Sequence, residues 1–262
     1  MKTEKYFRLT SETKINAFGI TLYRLQLTVD CKWGKKDDLG GWVESENLPN
    51  GDARVSGDAW VSGDAQVYGD AQVYGNARVS GDAWVSGDAQ VYGNAQVSGD
   101  AQVYGNARVS GDAWVSGDAQ VYGDAQVYGD ARVYGDAQVY GNAQVYGDAR
   151  VSGNAQVYGD AQVYGNAQVY GDARVYGNAR VYGNAWVSGD AWETSPIQIQ
   201  GSIHFVCEFK IGSIKIGCIE HETKVWLKEF EKIGKENGYT ANQITEYGFY
   251  IKLISQIQKL RK

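Results

Sequence analysis

The sequence predicts an all-β solenoid, in which short parallel strands wind into about eight triangular coils. Three observations favour this fold class. A six-residue phrase, Gly-Asp/Asn-Ala-x-Val-Tyr/Ser, repeats 23 times without insertion from Gly51 to Ser188, and a twenty-fourth copy, Gly189 to Thr194, begins correctly and then breaks. Within each phrase, Ala and Val alternate with polar or aromatic residues at the two-residue period of a strand. Glycine follows every strand, where its lack of a Cβ atom permits a corner.

The repeat can bury its apolar residues only by closing into coils that stack. In the phrase Gly117 to Tyr122, Ala119 and Val121 point to one side of the strand, and Gln120 points to the other. Three phrases close a triangular coil, so 24 phrases make eight coils along roughly 38 Å, at about 4.8 Å per strand. Three buried valines stabilise a coil by roughly 1.5–3 kcal/mol each, whereas ordering its backbone costs about 1–2 kcal/mol per residue. Stacking between coils must therefore supply the remaining stability.

Residues 1–50 precede the repeat and are predicted to form a small N-terminal β cap. The alternating residues from Ile20 to Leu27 predict a strand, which pairs with residues 6–9 through a turn near residues 16–19. The segment Leu39 to Val43 already has the pattern of a solenoid strand. A cap is expected here because the open end of a solenoid is an unpaired sheet edge, and such edges promote aggregation.

The repeat itself is assigned to residues 51–194, and residues 195–262 are predicted to form a C-terminal cap of strands followed by helices. Glu193 stands where every earlier phrase has valine. An unpaired carboxylate is costly in that interior, so we expect the solenoid to open or end there. Short apolar segments then predict strands at residues 197–199, 204–206 and 214–216.

Two helices are predicted after these strands, as a hairpin that plugs or flanks the last coil. The first covers residues 222–236 and stops at Asn237-Gly238. Thr240 starts the second, and Gln243 three residues later completes a capping-box pattern. Apolar residues share one face of each helix: Trp226, Phe230 and Ile233 in the first, and Ile244, Tyr247, Ile251, Ile254 and Ile257 in the second.

Charge is unevenly distributed along the chain. The net charge is -6, but residues 51–194 hold 16 Asp and Glu193 against seven Arg, which gives the repeat a charge of -10 and the remainder +4. An acidic rod with mildly basic ends argues against binding to the phosphate backbone of a nucleic acid along the rod.

Cysteine usage and hydropathy indicate the expected compartment. Cys31, Cys207 and Cys218 are odd in number and widely spaced, which favours reduced thiols over a disulfide framework. The sequence shows neither a signal-peptide pattern nor a run of 18 apolar residues. We therefore expect a cytoplasmic protein that has no membrane partner.

The repeat resembles the hexapeptide-repeat proteins, which fold as left-handed parallel β-helices. In that family an aliphatic residue is followed four places later by a small one, as Val121 is by Ala125. This resemblance implies a left-handed coil, whereas the general crossover rule favours the right hand. The flanking segments Leu39 to Glu44, Ile216 to Cys218 and Trp226-Leu227 resemble the YdcK-like hexapeptide proteins of bacteria and phages. Those proteins are called transferases by analogy of fold, so the resemblance implies little about activity.

The resemblance raises the question of an acyltransferase site. Many hexapeptide proteins are acyltransferases, which generally use a histidine base on the β-helix and often an extended loop. A general base must lie within reach of the proton that it removes. The repeat contains no histidine and no loop, and His204 and His221 both follow it. The sequence therefore favours a protein that is not an enzyme, with His204 and His221 as the candidate catalytic residues of the alternative.

Histidine, cysteine and aspartate residues are the candidate metal ligands of the chain. A zinc site of the carbonic-anhydrase type needs three histidines, and the chain has two. His204 and His221, with Cys207 and Cys218, have spacings that suit a Cys₂His₂ zinc set, but the region predicts strands. Stacked corner aspartates are an alternative place for calcium, yet Asn replaces Asp at eight of the 24 corners, which favours corner geometry. No metal or other cofactor is predicted.

Sorting the phrases by side of the triangle predicts an interaction surface. Two sides are rich in outward tyrosine, and the side between them carries mostly serine with Trp and Arg. Stacked aromatic residues stabilise a β ladder, and a long aromatic surface is also a contact site for another chain. The predicted surface comprises Tyr74, Tyr92, Tyr128, Tyr146, Tyr164 and Tyr182 on the first side, Tyr104, Tyr122, Tyr140, Tyr158 and Tyr176 on the third, and Trp60, Trp114 and Trp186 on the second.

The function predicted from these features is that of a non-enzymatic scaffold or binding protein. It would self-associate side by side through its aromatic ladders, most simply as a homodimer. A separate protein partner is compatible with the same surface. Two alternatives stay open at this point: an acyltransferase with a site near His204 or His221, and an acidic decoy of phage origin that mimics nucleic acid and occupies a basic partner.

Overall fold

The chain forms a solenoid of about eight turns, whose three sides are parallel β-sheets. The computed structural model describes residues 6–16, 19–32, 34–44, 49–51 and 53–261. Each coil contributes one short strand to each sheet, and each strand pairs with the strand 18 residues later, as Gln120 pairs with Gln138. The predicted triangular β-solenoid is therefore confirmed.

The three sheets are named face 1, face 2 and face 3 in the order in which a coil visits them. Face 1 consists of Arg54–Val55, Gln72–Val73, Gln90–Val91, Arg108–Val109, Gln126–Val127, Gln144–Val145, Gln162–Val163 and Arg180–Val181. Face 2 consists of Leu39–Val43, Trp60–Val61, Arg78–Val79, Gln96–Val97, Trp114–Val115, Arg132–Val133, Arg150–Val151, Gln168–Tyr170 and Trp186–Ser188. Face 3 consists of Asn50–Gly51, Gln66–Gly69, Trp84–Val85, Gln102–Val103, Gln120–Val121, Gln138–Val139, Gln156–Val157, Arg174–Val175 and Ala191–Trp192.

Alanine and valine fill the interior, and glycine makes the corners. Val121 and Ala119 are fully buried, like their counterparts in the neighbouring coils. Backbone hydrogen bonds join successive coils at short distances, such as 2.9 Å from Gln120 N to Ala137 O. Gly117 has a φ of +68°, and a Cβ atom there would lie 3.1 Å from the backbone nitrogen of Gly135. The corner thus needs glycine both for its conformation and for the close approach of the next coil.

The N-terminal strands extend face 2 and cover the first coil. Phe7–Ile15 pairs antiparallel with Thr21–Leu27, which pairs antiparallel with Leu39–Val43, and the latter joins the parallel solenoid strand Trp60–Val61. Phe7, Leu25 and Leu27 are buried in one core with the solenoid valines. The predicted strand pairing is confirmed, whereas part of the predicted turn, residues 17–18, lies outside the described residues.

The last coil is one residue shorter than the other coils, so Glu193 does not take an interior position. Trp192, not Glu193, pairs with Val175, so this coil has 17 residues instead of 18. A shift of one residue exchanges the two sides of a strand. Trp192 accordingly takes the interior position and is 3% exposed, and Glu193 is exposed. The solenoid does end near Glu193, as the sequence predicts, but the predicted conflict between its carboxylate and the interior is removed by this shift.

Side chains and a small sheet close the C-terminal end. Beyond the last strand of face 1, Ser195 Oγ accepts a hydrogen bond from Arg180 N, and Gln198 Oε1 accepts one from Tyr182 N, both at 2.9 Å. Cys207 is buried in the solenoid core. The antiparallel C-terminal sheet consists of Gln198–Gln200, Phe205–Lys210, Ser213–Ile216 and Ile219–Glu222.

Two helices follow the C-terminal sheet, as predicted. The first, α1, covers Thr223–Glu236, and the second, α2, covers Ala241–Leu260. The predicted capping box of α2 is present between Thr240 and Gln243. Trp226 packs in the core beneath α1 and donates a hydrogen bond from Nε1 to Ile214 O at 2.8 Å. No helix in the described part of the chain is long and apolar enough to span a membrane.

Candidate interaction surface

Tyrosine rings on faces 1 and 3 stack into ladders that run along the solenoid. Identical residues on successive coils lie in register at the strand spacing, so their rings stack face to face. Centroids of neighbouring rings lie 4.8–5.1 Å apart in the five-ring ladder of face 3 and 4.9–5.4 Å apart on face 1. The stacked rings are Tyr104, Tyr122, Tyr140, Tyr158 and Tyr176 on face 3, and Tyr74 with Tyr92, then Tyr128, Tyr146, Tyr164 and Tyr182, on face 1. Because each ring covers its neighbour, most of these tyrosines are half-buried.

Seven of these eleven stacked rings lie in an uncharged area, which we call the tyrosine–glutamine surface. It comprises the outward Gln and Tyr positions of face 3 from Gln102 to Tyr158 and those of face 1 from Gln126 to Tyr164. Every outward position in these two stretches is either Gln or Tyr. Arg108 and Arg180 lie at the two limits of the face 1 stretch. The solenoid thus presents adjoining flat areas that combine aromatic rings with neutral hydrogen-bonding groups.

The corner that joins face 3 to face 1 is also low in net charge. Asn106 Nδ2 donates to Asp124 Oδ1, and Asn142 Nδ2 donates to Asp160 Oδ1, each at 2.9 Å. Alternation of Asn and Asp therefore halves the charge of this corner and satisfies its carboxylates. The corner between faces 2 and 3 differs, because it carries aspartate in five successive coils: Asp64, Asp82, Asp100, Asp118 and Asp136. The corner between faces 3 and 1, with its alternating Asn and Asp, is the one that adjoins both the face 3 part and the face 1 part of the tyrosine–glutamine surface.

The tryptophans of face 2 differ in accessibility. Trp60 is only 7% exposed, since it packs with Leu22 and Trp42 beneath the N-terminal strands. The prediction that Trp60 belongs to an outward interaction surface is therefore wrong. Trp186 is half-buried, with Lys215 Nζ 3.5 Å from its ring centroid. Trp114 is 45% exposed and lies against the Arg132 guanidinium, at 5.4 Å.

Comparison with protein families agrees with this geometry. The sequence model of the YdcK beta solenoid repeat matches seven segments of the chain, at residues 71–87, 101–117, 125–141, 143–159, 167–181, 173–189 and 179–194. The repeat of the solenoid is similar to the YdcK beta-solenoid repeat over these segments. The expected likeness to YdcK-like proteins is thereby confirmed for the repeat. A comparison with curated proteins gave no match.

Neither histidine of the chain lies within the solenoid. His204 precedes the second strand of the C-terminal sheet, where its ring packs near Tyr239 at a centroid distance of 5.7 Å. Tyr247 Oη accepts a hydrogen bond from the backbone nitrogen of His204 at 2.6 Å. His221 lies on the last strand of this sheet, and its ring contacts Trp226 edge-on. The two candidate catalytic residues are therefore engaged in aromatic packing around the C-terminal sheet.

The residues considered for a zinc set are not brought together. Cys207 is buried in the solenoid core, and Cys218 is exposed. Burial raises the pKa of the Cys207 thiol to about 11, so it stays protonated at neutral pH. Within the residues that the structure describes, no group of three or more His, Cys, Asp and Glu side chains could hold a metal ion.

A cavity of about 640 Å³ lies where the solenoid meets the two helices. Its walls come from four separate parts of the chain: the last coil, the C-terminal sheet, the start of α1 and the end of α2. Its lining includes Trp192, Glu208, Leu227, Gln258 and Arg261. Neither His204 nor His221 lines this cavity. Sequence reasoning missed this site because nothing in the periodic region signals it.

The laddered tyrosines should make the protein sensitive to alkaline pH. Burial raises the pKa of Tyr104, Tyr122 and Tyr140 above the ordinary value of 10, and the same holds on face 1. The unfolded chain therefore releases its phenolic protons first. The contribution of these tyrosines to the free energy of unfolding is therefore fully present below pH 10. It is lost as the pH rises through their higher folded-state pKa values.

Tyrosine ionisation followed at 295 nm, together with far-UV circular dichroism, tests this expectation. A fraction of the 19 tyrosines should ionise only when the circular dichroism signal of the solenoid is lost. The same titration in concentrated guanidinium chloride is the control, since all phenols are then equivalent. Superimposable titration curves with and without the denaturant would contradict the prediction.

Proposed function

We propose that this protein is a non-enzymatic solenoid that binds a second copy of itself side by side through the tyrosine–glutamine surface. The observation that carries the proposal is the absence of charge from every outward strand position of that surface, whereas the corner between faces 2 and 3 carries aspartate in five successive coils. Central parts of protein interfaces are depleted in charged residues and enriched in tyrosine. A two-fold contact is the simplest association, because one self-complementary surface then closes the assembly.

Faces 1 and 3 are two sides of a triangular coil and point in different directions, so a rod-shaped partner lies against one of the two flat areas at a time. Each flat area covers only three or four coils, or roughly 15–20 Å of solenoid length at about 4.8 Å per strand. One area alone is smaller than the approximately 800 Å² per partner that is typical of stable complexes. We therefore propose an association that depends on protein concentration.

Replacing Tyr128, Tyr146 and Tyr164 together by serine should weaken association and leave the solenoid folded. Serine occupies the same position of face 1 in other coils, at Ser56 and Ser110, so the backbone accommodates it. Loss of three aromatic side chains removes much of the apolar contact area of face 1. Sedimentation velocity over a hundredfold range of concentration measures the result.

The matched control is the triple substitution of the same tyrosines by phenylalanine, which keeps the rings. This variant should associate about as well as the natural protein if ring contacts carry the interface. Far-UV circular dichroism checks that both variants are folded. An unchanged concentration dependence of the serine variant would contradict the proposal, as would a natural protein that sediments as a monomer throughout.

A further inference from the structure

The last strand of face 3, Ala191–Trp192, is an open edge of its sheet. It pairs with Arg174–Val175 of the preceding coil and ends the order of the described strands in this sheet. In the regular coils, backbone N–H groups of each strand donate to the coil that follows, as Gln120 N donates to Ala137 O at 2.9 Å. The last strand of face 3 therefore presents such donors at a position where no further coil follows among the described residues.

The donors at this edge are the N–H groups of Ala191 and Glu193. The two carbonyls that precede them, Asp190 O and Trp192 O, each accept a hydrogen bond from the preceding coil at 2.9 Å. A trans peptide unit directs its N–H opposite to its C=O, so both N–H groups point away from that coil. Neither donates a hydrogen bond to another described residue. Both residues line the cavity of about 640 Å³ and are exposed.

The chain covers the equivalent edges of the other two faces. On face 1, side-chain oxygens of Ser195 and Gln198 accept the hydrogen bonds from these positions at 2.9 Å. The end of face 2 contacts the second strand of the C-terminal sheet, and Cys207 Sγ donates there to Trp186 O at 3.8 Å. Among the three edges, that of face 3 is the one whose residues line the large cavity.

Apolar side chains lie beside the open edge. Ile211 and Leu227 line the same cavity and are 58% and 38% exposed. Trp192, which also lines it, belongs to the solenoid core. The cavity volume lies within the range of roughly 300–1,000 Å³ that is usual for binding sites. A segment that follows the edge can therefore bury an apolar side chain in this cavity.

The charges of the cavity are balanced. Two ion pairs, Arg261 with Glu208 at 2.8 Å and Lys224 with Glu222 at 2.6 Å, already neutralise four of the lining side chains. The remaining charged residues of the lining, Glu193 and Lys259, are opposite in sign. An occupant without charge keeps this balance, whereas a charged occupant would lose hydration without gaining a free counter-charge.

We propose that this edge binds an uncharged, extended peptide segment of a partner protein, which adds one parallel strand to face 3. Two carbonyls of the segment accept hydrogen bonds from Ala191 N and Glu193 N, and the N–H between them donates to Ala191 O, as in the regular coils. An apolar side chain of the segment packs against Trp192 and Leu227. Addition of a strand to an exposed sheet edge is an established mode of peptide binding. The proposal does not rest on self-association through the tyrosine–glutamine surface.

The probe is the peptide acetyl-Gly-Asn-Ala-Gln-Val-Tyr-amide, which copies an uncharged phrase of the repeat, Gly165 to Tyr170. Protein labelled with ¹⁵N-tryptophan gives backbone amide resonances for its eight tryptophans, and Trp192→Phe assigns that of Trp192 by its absence. Titration to about 5 mM peptide, which covers dissociation constants up to the millimolar range, should shift the Trp192 resonance in a saturable manner. The resonances of Trp114 and Trp186, on face 2, should not move.

A matched pair of variants tests the backbone contact. Ala191→Pro removes the N–H, which makes no hydrogen bond within the solenoid, and proline is tolerated at such edges. Ala191→Ser keeps the N–H. The proline variant should bind the peptide at least about tenfold more weakly than the serine variant, because it loses one hydrogen bond and blocks the edge. Far-UV circular dichroism shows that both variants are folded.

The peptide supplies a further control that does not depend on the folding of a variant. Methylation of its valine nitrogen removes the N–H that donates to Ala191 O and should abolish binding. The proposal is overturned if the unmodified peptide causes no saturable shift at Trp192, or if the methylated peptide binds as well. Equal affinities of Ala191→Pro and Ala191→Ser would also overturn it, as would a shift at Trp186 instead of Trp192.

Discussion

Replacing Val121 by aspartate should lower the free energy of unfolding by at least about 4 kcal/mol. Val121 is fully buried in a central coil, between Val103 and Val139 of the neighbouring coils. A carboxylate at this point would lose its hydration among valine and alanine side chains that offer no hydrogen bond. Coils on either side depend on the damaged one for stacking, so the effect should spread along the solenoid. Urea unfolding followed by far-UV circular dichroism measures it.

The control lies one residue away on the same strand. Gln120→Asp introduces the same carboxylate on the outward side, and a solvent-facing substitution of this kind changes stability by no more than about 0.5 kcal/mol. A repeat array can unfold in stages, so the comparison uses the complete unfolding curves rather than one midpoint. Equal losses in the two variants would mean that the strand does not have the inward and outward sides described above.

The second large effect is expected at Arg261, which neutralises the buried carboxylate of Glu208. The Glu208 side chain is 3% exposed and also accepts a hydrogen bond from Ile197 N at 2.9 Å. Arg261→Met would leave this carboxylate buried without its cation, at a cost of about 3 kcal/mol. That figure is the lower end of the usual range for a buried pair, because Arg261 is 35% exposed and water can take its place. Urea unfolding at pH 7 measures the loss.

Adding Glu208→Gln to the Arg261→Met variant should recover most of that stability. The amide is neutral, and its oxygen can still accept the hydrogen bond from Ile197 N. The double variant is therefore expected within about 1 kcal/mol of the natural protein, since removing both partners of a buried pair costs far less than removing one. Losses that simply add between the two single variants would contradict the coupling of the pair.

The periodic part of the fold was predictable because local chemistry and global architecture agree in every phrase. Glycine at the corner, valine inside and tyrosine outside each favour the same coil, so the sequence predicts the sides of the triangle correctly. The stacking of rings such as Tyr122 and Tyr140 follows from the 18-residue register alone. Hydrogen bonds from Asn to Asp along a corner were not predicted, although the alternation of these residues could have indicated them.

The ends were less predictable, because their packing depends on contacts between distant residues. The sequence places Glu193 in the interior, and only the pairing of Trp192 with Val175 shows that the last coil is one residue short. Trp60 reads as an outward residue from its position in the phrase, yet Leu22 and Trp42 cover it. The cavity unites Trp192, Leu227 and Gln258, which no periodic pattern connects.

The register of one coil also sets which changes in repeat number the protein tolerates. Each strand meets its neighbour 18 residues later, as Gln120 meets Gln138. Duplication of three phrases lengthens the rod by one step of about 4.8 Å and leaves every ladder aligned. Duplication of a single phrase keeps the backbone pairing but turns everything downstream by a third of a revolution, so the tyrosine column of face 3 would continue into the mostly serine positions of face 2. Length variants that keep every ladder aligned would thus differ from this chain by whole coils.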